Sequence, residues 1–202
     1  MIECFTTGSF FTNSYVISND KGECVVVDPG LNYEASAAKI KQKYDVKAIL
    51  ITHGHIDHID GVKYFSNVPI YVHKLDKDFF FDSSLSLYDM MGFILPFKEN
   101  DLDIRTVEDM DEIDLIGYKF KVLHTPGHTR GSVCYSYSNK VLSGDTLFNH
   151  SCGRCDFPTG DSLKMHQSLK RIISTYNDNF DVYPGHDCKT TIKNERQNNP
   201  YL

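Results

Sequence analysis

The chain has 202 residues, a net charge of −6, 41% apolar residues and 24% charged ones. That length and balance predict one globular domain over residues 1–202 with a sizeable core. They disfavour a nucleic-acid partner, which calls for a basic face, and a membrane partner, since no apolar run nears the ~20 residues of a membrane-crossing helix.

Met1 to Thr7 has neither a basic start nor an apolar core, so no export signal is read and a cytoplasmic location is expected. The six cysteines are then expected as reduced thiols. Asn13 to Ser18 and Glu23 to Asp28 are β-branched, apolar runs joined by a turn over Asn19 to Gly22, which predicts a hairpin. Asp28-Pro29-Gly30 ends it. From Asn32 a helix follows, with Tyr33, Ala37, Ile40 and Tyr44 on one stripe. Val46 to Ile51 reads as a buried strand. It runs into Thr52-His53-Gly54-His55-Ile56-Asp57-His58, after which Ile59 to Phe65 reads as a short helix and Pro69 to Val72 as a strand. Residues 82–103 are apolar around Phe93 to Phe97 but broken by Gly92 and Pro96. They suit a loop, either packed on the core or walling a pocket.

The second half repeats the theme. Glu112 to Leu115 and Tyr118 to Leu123 form a hairpin about Gly117. Gly131 to Tyr137 and Lys140 to Ser143 form another about Ser138-Asn139. Ser162 to Tyr176 is a helix with Met165, Leu169, Ile172, Ile173 and Tyr176 on one face, and Asp181 to Tyr183 is a last strand. Two α+β halves of this kind are buried best by two sheets face to face with helices outside.

Three imidazoles and a carboxylate within six positions, just after a buried strand, make little sense as packing. Later strand ends add His128 in Thr125-Pro126-Gly127-His128, Asp145 in Ser143-Gly144-Asp145-Thr146, and His186 in Pro184-Gly185-His186. Histidines 53, 55, 58, 128 and 186 with aspartates 57 and 145 are enough for two metal ions sharing a carboxylate. A mixed His/Asp set suits Zn, Fe or Mn.

H-x-H-x-D-H, T-P-G-H-T, S-G-D-T-L-F and P-G-H, in this order, resemble the metallo-β-lactamase superfamily from about Asn13 to the C-terminus. The resemblance implies an αββα sandwich with two divalent metal ions, zinc before iron or manganese. By the family pattern His53, His55 and His128 hold the first metal, and Asp57, His58 and His186 the second. Asp145 bridges them, and Asp57 and Asp145 are the catalytic carboxylates. Two metals ~3.5–4 Å apart share a hydroxide that is nucleophilic at working pH.

Gly144 to Phe148, then Gly153-Arg154-Cys155-Asp156-Phe157-Pro158-Thr159-Gly160, resemble the G-D-x-L-F and G-R-x-D-F-P-x-G segments of glyoxalase II. The ending Glu195 to Leu202 resembles its short bacterial form. This implies hydrolysis of hydroxyacyl thioesters such as S-lactoylglutathione, a small-molecule substrate. The helical C-terminal domain that grips glutathione in longer forms is not expected here, so the thiol stays open between glutathione, another small thiol and coenzyme A. Cys152 to Phe157 also resembles the C-G-R-x-D-F segment of persulfide dioxygenases, which use one iron at the positions of His53, His128 and Asp145. Hydrolysis of lactones or phosphodiesters is a further alternative. Secreted β-lactamases are set aside for their export signals and for usually lacking an aspartate at the position of Asp145.

Arg154 is read either as a contact for a substrate anion or as the partner of Asp156 in a loop-shaping ion pair. Phe10 and Phe11 either wall the site or pack elsewhere. Asp28 is placed to fix a ligand imidazole, and His124 either supports the His128 turn or stands apart from it. His166 is expected to face solvent. Cys152 and Cys155 have no second C-x-x-C to complete a zinc site and are read as loop structure. Serine at both positions is therefore expected to keep turnover within about threefold of wild type, and a loss beyond about tenfold would give the pair a role.

Overall fold

Alternation within single strands sorts the apolar side chains into three layers. The computed structural model describes all 202 residues. Its first half runs β1 (Ile2–Thr7), β2 (Thr12–Ser18), β3 (Glu23–Val27), α1 (Glu34–Lys43), β4 (Asp45–Leu50), α2 (Ile56–Ile59), β5 (Ile70–His73), α3 (Tyr88–Met91) and β6 (Ile104–Val107). The second half runs β7 (Glu112–Leu115), β8 (Tyr118–His124), β9 (Val133–Tyr137), β10 (Lys140–Gly144), β11 (Leu147–Phe148), β12 (Ser151–Cys152), α4 (Ser162–Thr175), β13 (Asp181–Pro184), β14 (Thr190–Thr191) and α5 (Ile192–Asn198).

Strands β1 to β6 form one sheet in chain order, antiparallel as far as β3 and parallel beyond it. The second sheet has the order β14-β13-β10-β9-β8-β7 and is antiparallel except where β10 meets β13. Tyr15, Ile17, Val25, Val27 and Leu50 of the first sheet meet Phe120, Val122, Tyr135 and Leu142 of the second in a shared core. Their neighbours in sequence face the other way, as period-2 pleating requires. Val26, Ile49 and Ile51 pack beneath Ala37 and Ile40 of α1. Leu123, Cys134 and Val141 pack beneath Met165, Leu169 and Ile172 of α4. The layers are therefore helix, sheet, sheet, helix, the αββα sandwich of the sequence reading.

Several elements depart from that reading. β1 and β6 are edge strands with several exposed or half-exposed residues, so neither carries a strong apolar run. The helix after the histidine turn starts at Ile56 rather than Ile59, with His55 as its N-cap. Ile56 N donates to Ser86 O at 2.9 Å, an anchor from a distant segment that local patterning does not show. The 82–103 segment serves both of the roles considered for it: Tyr88 and Phe97 enter the first core, while Leu87 and Met91 turn toward a cleft. Polar α5 is held by a buried carboxylate, Glu195, which accepts from Thr190 Oγ1 at 2.6 Å and His150 N at 2.8 Å.

The inter-sheet core sets the spacing of everything at the sandwich edge. Leu50→Ala is expected to cost ~2–5 kcal/mol. Urea denaturation reads it as a lower midpoint at unchanged slope, and a loss below ~1 kcal/mol would contradict tight packing there.

Candidate metal centre

Each of the seven predicted ligand residues follows a strand and lies at one edge of the sandwich. His53, His55, Asp57 and His58 follow β4 in the first sheet. His128, Asp145 and His186 follow β8, β10 and β13 in the second. The structure brings all seven together. His53, His55 and His128 form one group whose ligand atoms lie within 4.8 Å of one another; Asp57, His58 and His186 form another, and His53, His58 and Asp145 a third.

Asp145 stands between them. Its Oδ1 lies 3.4 Å from His58 Nε2, and its Oδ2 lies 3.5 Å from His128 Nε2 and 3.4 Å from His186 Nε2. Two glycines permit this approach. A Cβ on Gly185 would sit 2.2 Å from Asp145 Oδ1, and one on Gly153 would sit 2.0 Å from the Asp145 carbonyl oxygen.

The outward ring nitrogens are tied down. His58 Nδ1 donates to Asp28 Oδ2 at 3.0 Å, as expected for Asp28. Thr52 supports that carboxylate through its N–H at 2.8 Å and its hydroxyl at 2.6 Å. His128 Nδ1 donates to Arg154 O at 2.7 Å, and His186 Nδ1 to Phe10 O at 3.0 Å. Each bond turns Nε2 inward, the usual way a protein orients metal-binding imidazoles.

Inside the cluster, Nε2 of His53, His55 and His58 and Oδ1 of Asp145 are buried without a hydrogen-bond partner. So many buried polar atoms left open are costly unless a cation takes them. Imidazole and carboxylate together are a donor set for a divalent transition metal. The residues fit such an ion.

Burial and the neighbouring imidazoles push the pKa of His53 and His55 well below the histidine range. Burial also opposes a charge on His58 and His186, but Asp57 and Asp145 outweigh it. They hold His58 well above that range and bring His186 to about 10. Burial likewise opposes ionisation of Asp57, yet His58 and His186 outweigh it and hold the carboxyl at about 2.

Three supports carried little or no sequence signal. Asp76, fully buried, accepts from Gly54 N at 3.0 Å, Thr129 Oγ1 at 2.6 Å and Gly131 N at 2.8 Å. It thereby staples the β4 turn to the β8 turn. Burial, against those donors, raises its pKa to about 6. Thr12 donates to Asp57 Oδ2 at 2.9 Å. The third support is the backbone carbonyl of Arg154. Asp76 does sit just beyond a strand end, as the ligands do, and that was its only mark.

Other candidates separate. Arg154 lines the cleft over the cluster, gripped by Asp156 through two contacts of 2.6 Å. Phe10 lines the cleft; Phe11 points to solvent at 73% exposure. His124 touches no ligand residue: it stacks on His73 with ring centroids 4.0 Å apart and meets Arg130 O. His166 is exposed and meets Tyr201 O. Cys152 and Cys155 are free, half-buried thiols.

An αββα sandwich with a buried His/Asp cluster at its edge defines a class of metal-binding proteins. Residues 7–186 match the family model of the metallo-beta-lactamase superfamily, and the chain belongs to that superfamily, whose members point to a metal-dependent hydrolase. It is similar to the hydroxyacylglutathione hydrolase GloC of Haemophilus influenzae, at 32% identity over all of this chain and 97% of the relative. The structure of the B3 metallo-beta-lactamase BLEG-1 superposes with a TM-score of 0.92 at 32% identity, covering 100% of this chain and 99% of that one. TTHA1623, in a di-iron-bound form, gives 0.84 at 33% identity, covering 99% and 100%.

A metal ion must displace protons from His58 and His186 but not from the neutral His53 and His55. Adding zinc to metal-free protein at neutral pH is expected to release protons, and affinity should climb as pH rises toward the His186 value of about 10. Calorimetry in buffers of different ionisation heat reads the release; heats independent of buffer would exclude it.

Proposed function

We propose that this chain is a dinuclear metal-dependent thioester hydrolase of the glyoxalase II kind. The observation that carries the reading is Asp145, whose two oxygens face imidazoles from both ligand groups. Similarity to GloC over the full chain supports the choice of substrate class. So does the Gly-Arg-x-Asp-Phe segment, whose Arg154 carbonyl fixes His128 and whose Phe157 packs edge-on against His55 at 5.7 Å.

In this reading His53, His55 and His128 hold one ion, Asp57, His58 and His186 the other, and Asp145 both. Zinc is the ion proposed; the di-iron TTHA1623 keeps iron in the comparison. When bound, such ions lower the pKa of a coordinated water and polarise the carbonyl that it attacks. The chain's own work is to hold the donors. Asp28 and the carbonyls of Arg154 and Phe10 keep three imidazoles aimed inward, so no reorganisation is needed as charge develops. Asp57, ionised and held by Thr12, faces the cleft beside His186 at 3.3 Å, where it can orient an attacking water by accepting a hydrogen bond from it.

β-Lactam hydrolysis is the second reading, favoured by the close superposition on BLEG-1. An amide carbonyl in a strained ring would meet the same donors. A panel of S-lactoylglutathione, acyl-coenzyme A, small neutral thioesters and a chromogenic cephalosporin, with elemental analysis of the same sample, separates the readings. Thioester turnover is expected to exceed lactam turnover by at least about tenfold in kcat/KM, with two metals per chain. Lactam turnover ahead of every thioester, or a single iron with oxygen uptake on a persulfide, would overturn it. His53→Ala and Asp145→Ala should each lower turnover by at least ~10³-fold with loss of metal; unchanged turnover in either would end the mechanism.

A further inference from the structure

The cleft over the metal centre is small, about 300 Å³, at the lower end of ligand pockets. Phe10, Ile56, Leu87, Met91, Phe148 and Phe157 line it around the polar cluster. No lysine lines it, and apart from the metal-site histidines and the ions they would hold, Arg154 is its only cationic group. That guanidinium is already engaged on two sides. Asp156 takes both Nε and Nη2 at 2.6 Å, and the Phe157 ring lies beneath it at 4.0 Å.

The apolar walls are built into the metal centre rather than draped over it. The Phe10 carbonyl accepts from His186, so the ring of Phe10 is placed by a ligand residue. The segment carrying Leu87 and Met91 is pinned beside α2. Ser86 O takes Ile56 N at 2.9 Å, and the buried Tyr88 hydroxyl donates to Asp60 Oδ1 at 3.0 Å. Leu87 holds a left-handed backbone, φ 69°, which a leucine adopts only under constraint. Phe148 and Phe157 stand edge-on to His186 and His55 at 5.8 and 5.7 Å. The same segment exposes Met90, Phe93 and Ile94 outside the cleft.

These walls suit one kind of substrate arm. Glutathione carries two carboxylates and an ammonium, and coenzyme A carries phosphates. Away from the metal centre, a carboxylate or phosphate in this cleft would meet phenylalanine, methionine and a spoken-for arginine, and would lose water without gaining a partner. An alkyl or aryl chain would instead trade water for contact with six apolar side chains.

We propose that the cleft is an acyl-chain subsite: the thioester's acyl arm is uncharged and apolar, and its charged groups, if any, stay outside. The proposal rests on the thioester reading for the reaction, but the binding site stands on the walls alone. Phe10 and Met91 are its specificity-determining residues.

The test has a kinetic and a binding arm, both on metal-loaded protein. Acyl thioesters of N-acetylcysteamine, from acetyl to octanoyl, are expected to gain about twofold to fourfold in kcat/KM per methylene until the cleft is full. The hexanoyl compound should exceed S-lactoylglutathione by at least about tenfold. A flat series, or S-lactoylglutathione ahead of every neutral compound, overturns the subsite. If no thioester is turned over, the thioester reading falls and binding decides alone. Straight-chain carboxylates from acetate to octanoate, whose head group would take the metal centre and leave the chain to the cleft, should tighten by about twofold to fourfold per methylene when titrated calorimetrically, and affinity independent of chain length overturns the subsite. Phe10→Ala and Met91→Ser should flatten either slope at unchanged metal content and melting temperature; an unchanged slope in both variants overturns their assignment.

Discussion

The carboxylate of Asp145 is where the two halves of the molecule meet. It follows β10 in the second sheet, yet its Oδ1 faces His58 from the turn after β4 in the first. A cluster assembled this way exists only while the sheets hold their spacing. That spacing is set by the shared core of Val25, Val27 and Leu50 against Phe120, Val122 and Tyr135. Packing energy from that layer holds like groups in contact that would otherwise separate, and the proposed metal charge would then repay the imidazoles and carboxylates for leaving water.

Around the cluster, the chain spends its backbone carbonyls and buried acids on orientation. Asp28 holds His58, the Arg154 carbonyl holds His128, the Phe10 carbonyl holds His186, and Asp76 ties the two turns that carry His55 and His128. None of these groups needs to touch a substrate. Their effect is to fix which nitrogen of each ring faces inward. The same contacts also place the walls: Phe10 belongs both to the His186 bond and to the cleft, so chemistry and selectivity share one frame.

Legibility followed the range of the interactions involved. β2, β3, β4 and α4 could be read because their apolar spacing is local and strong. The ligand set could be read because each member stands on a turn at a strand end. β1, β6 and α5 could not. The first two are half-exposed edges, and α5 is a polar helix held by the buried Glu195. Asp76 and Thr12 escaped because their partners lie 53 and 45 residues away. His124 sits close to His128 in sequence but turns away to stack on His73.

The sequence by itself determined the sandwich, the family and the seven residues that gather at its edge. Those follow from short-range periodicity and from side-chain chemistry, which a linear chain displays openly. Only the tertiary structure decided that Asp145 stands between the two ligand groups, which backbone carbonyls aim the imidazoles, and that Arg154 is held by Asp156 rather than left free in the cleft. These depend on which turns of the two sheets come within hydrogen-bond reach, and that is settled by the packing of the core between them.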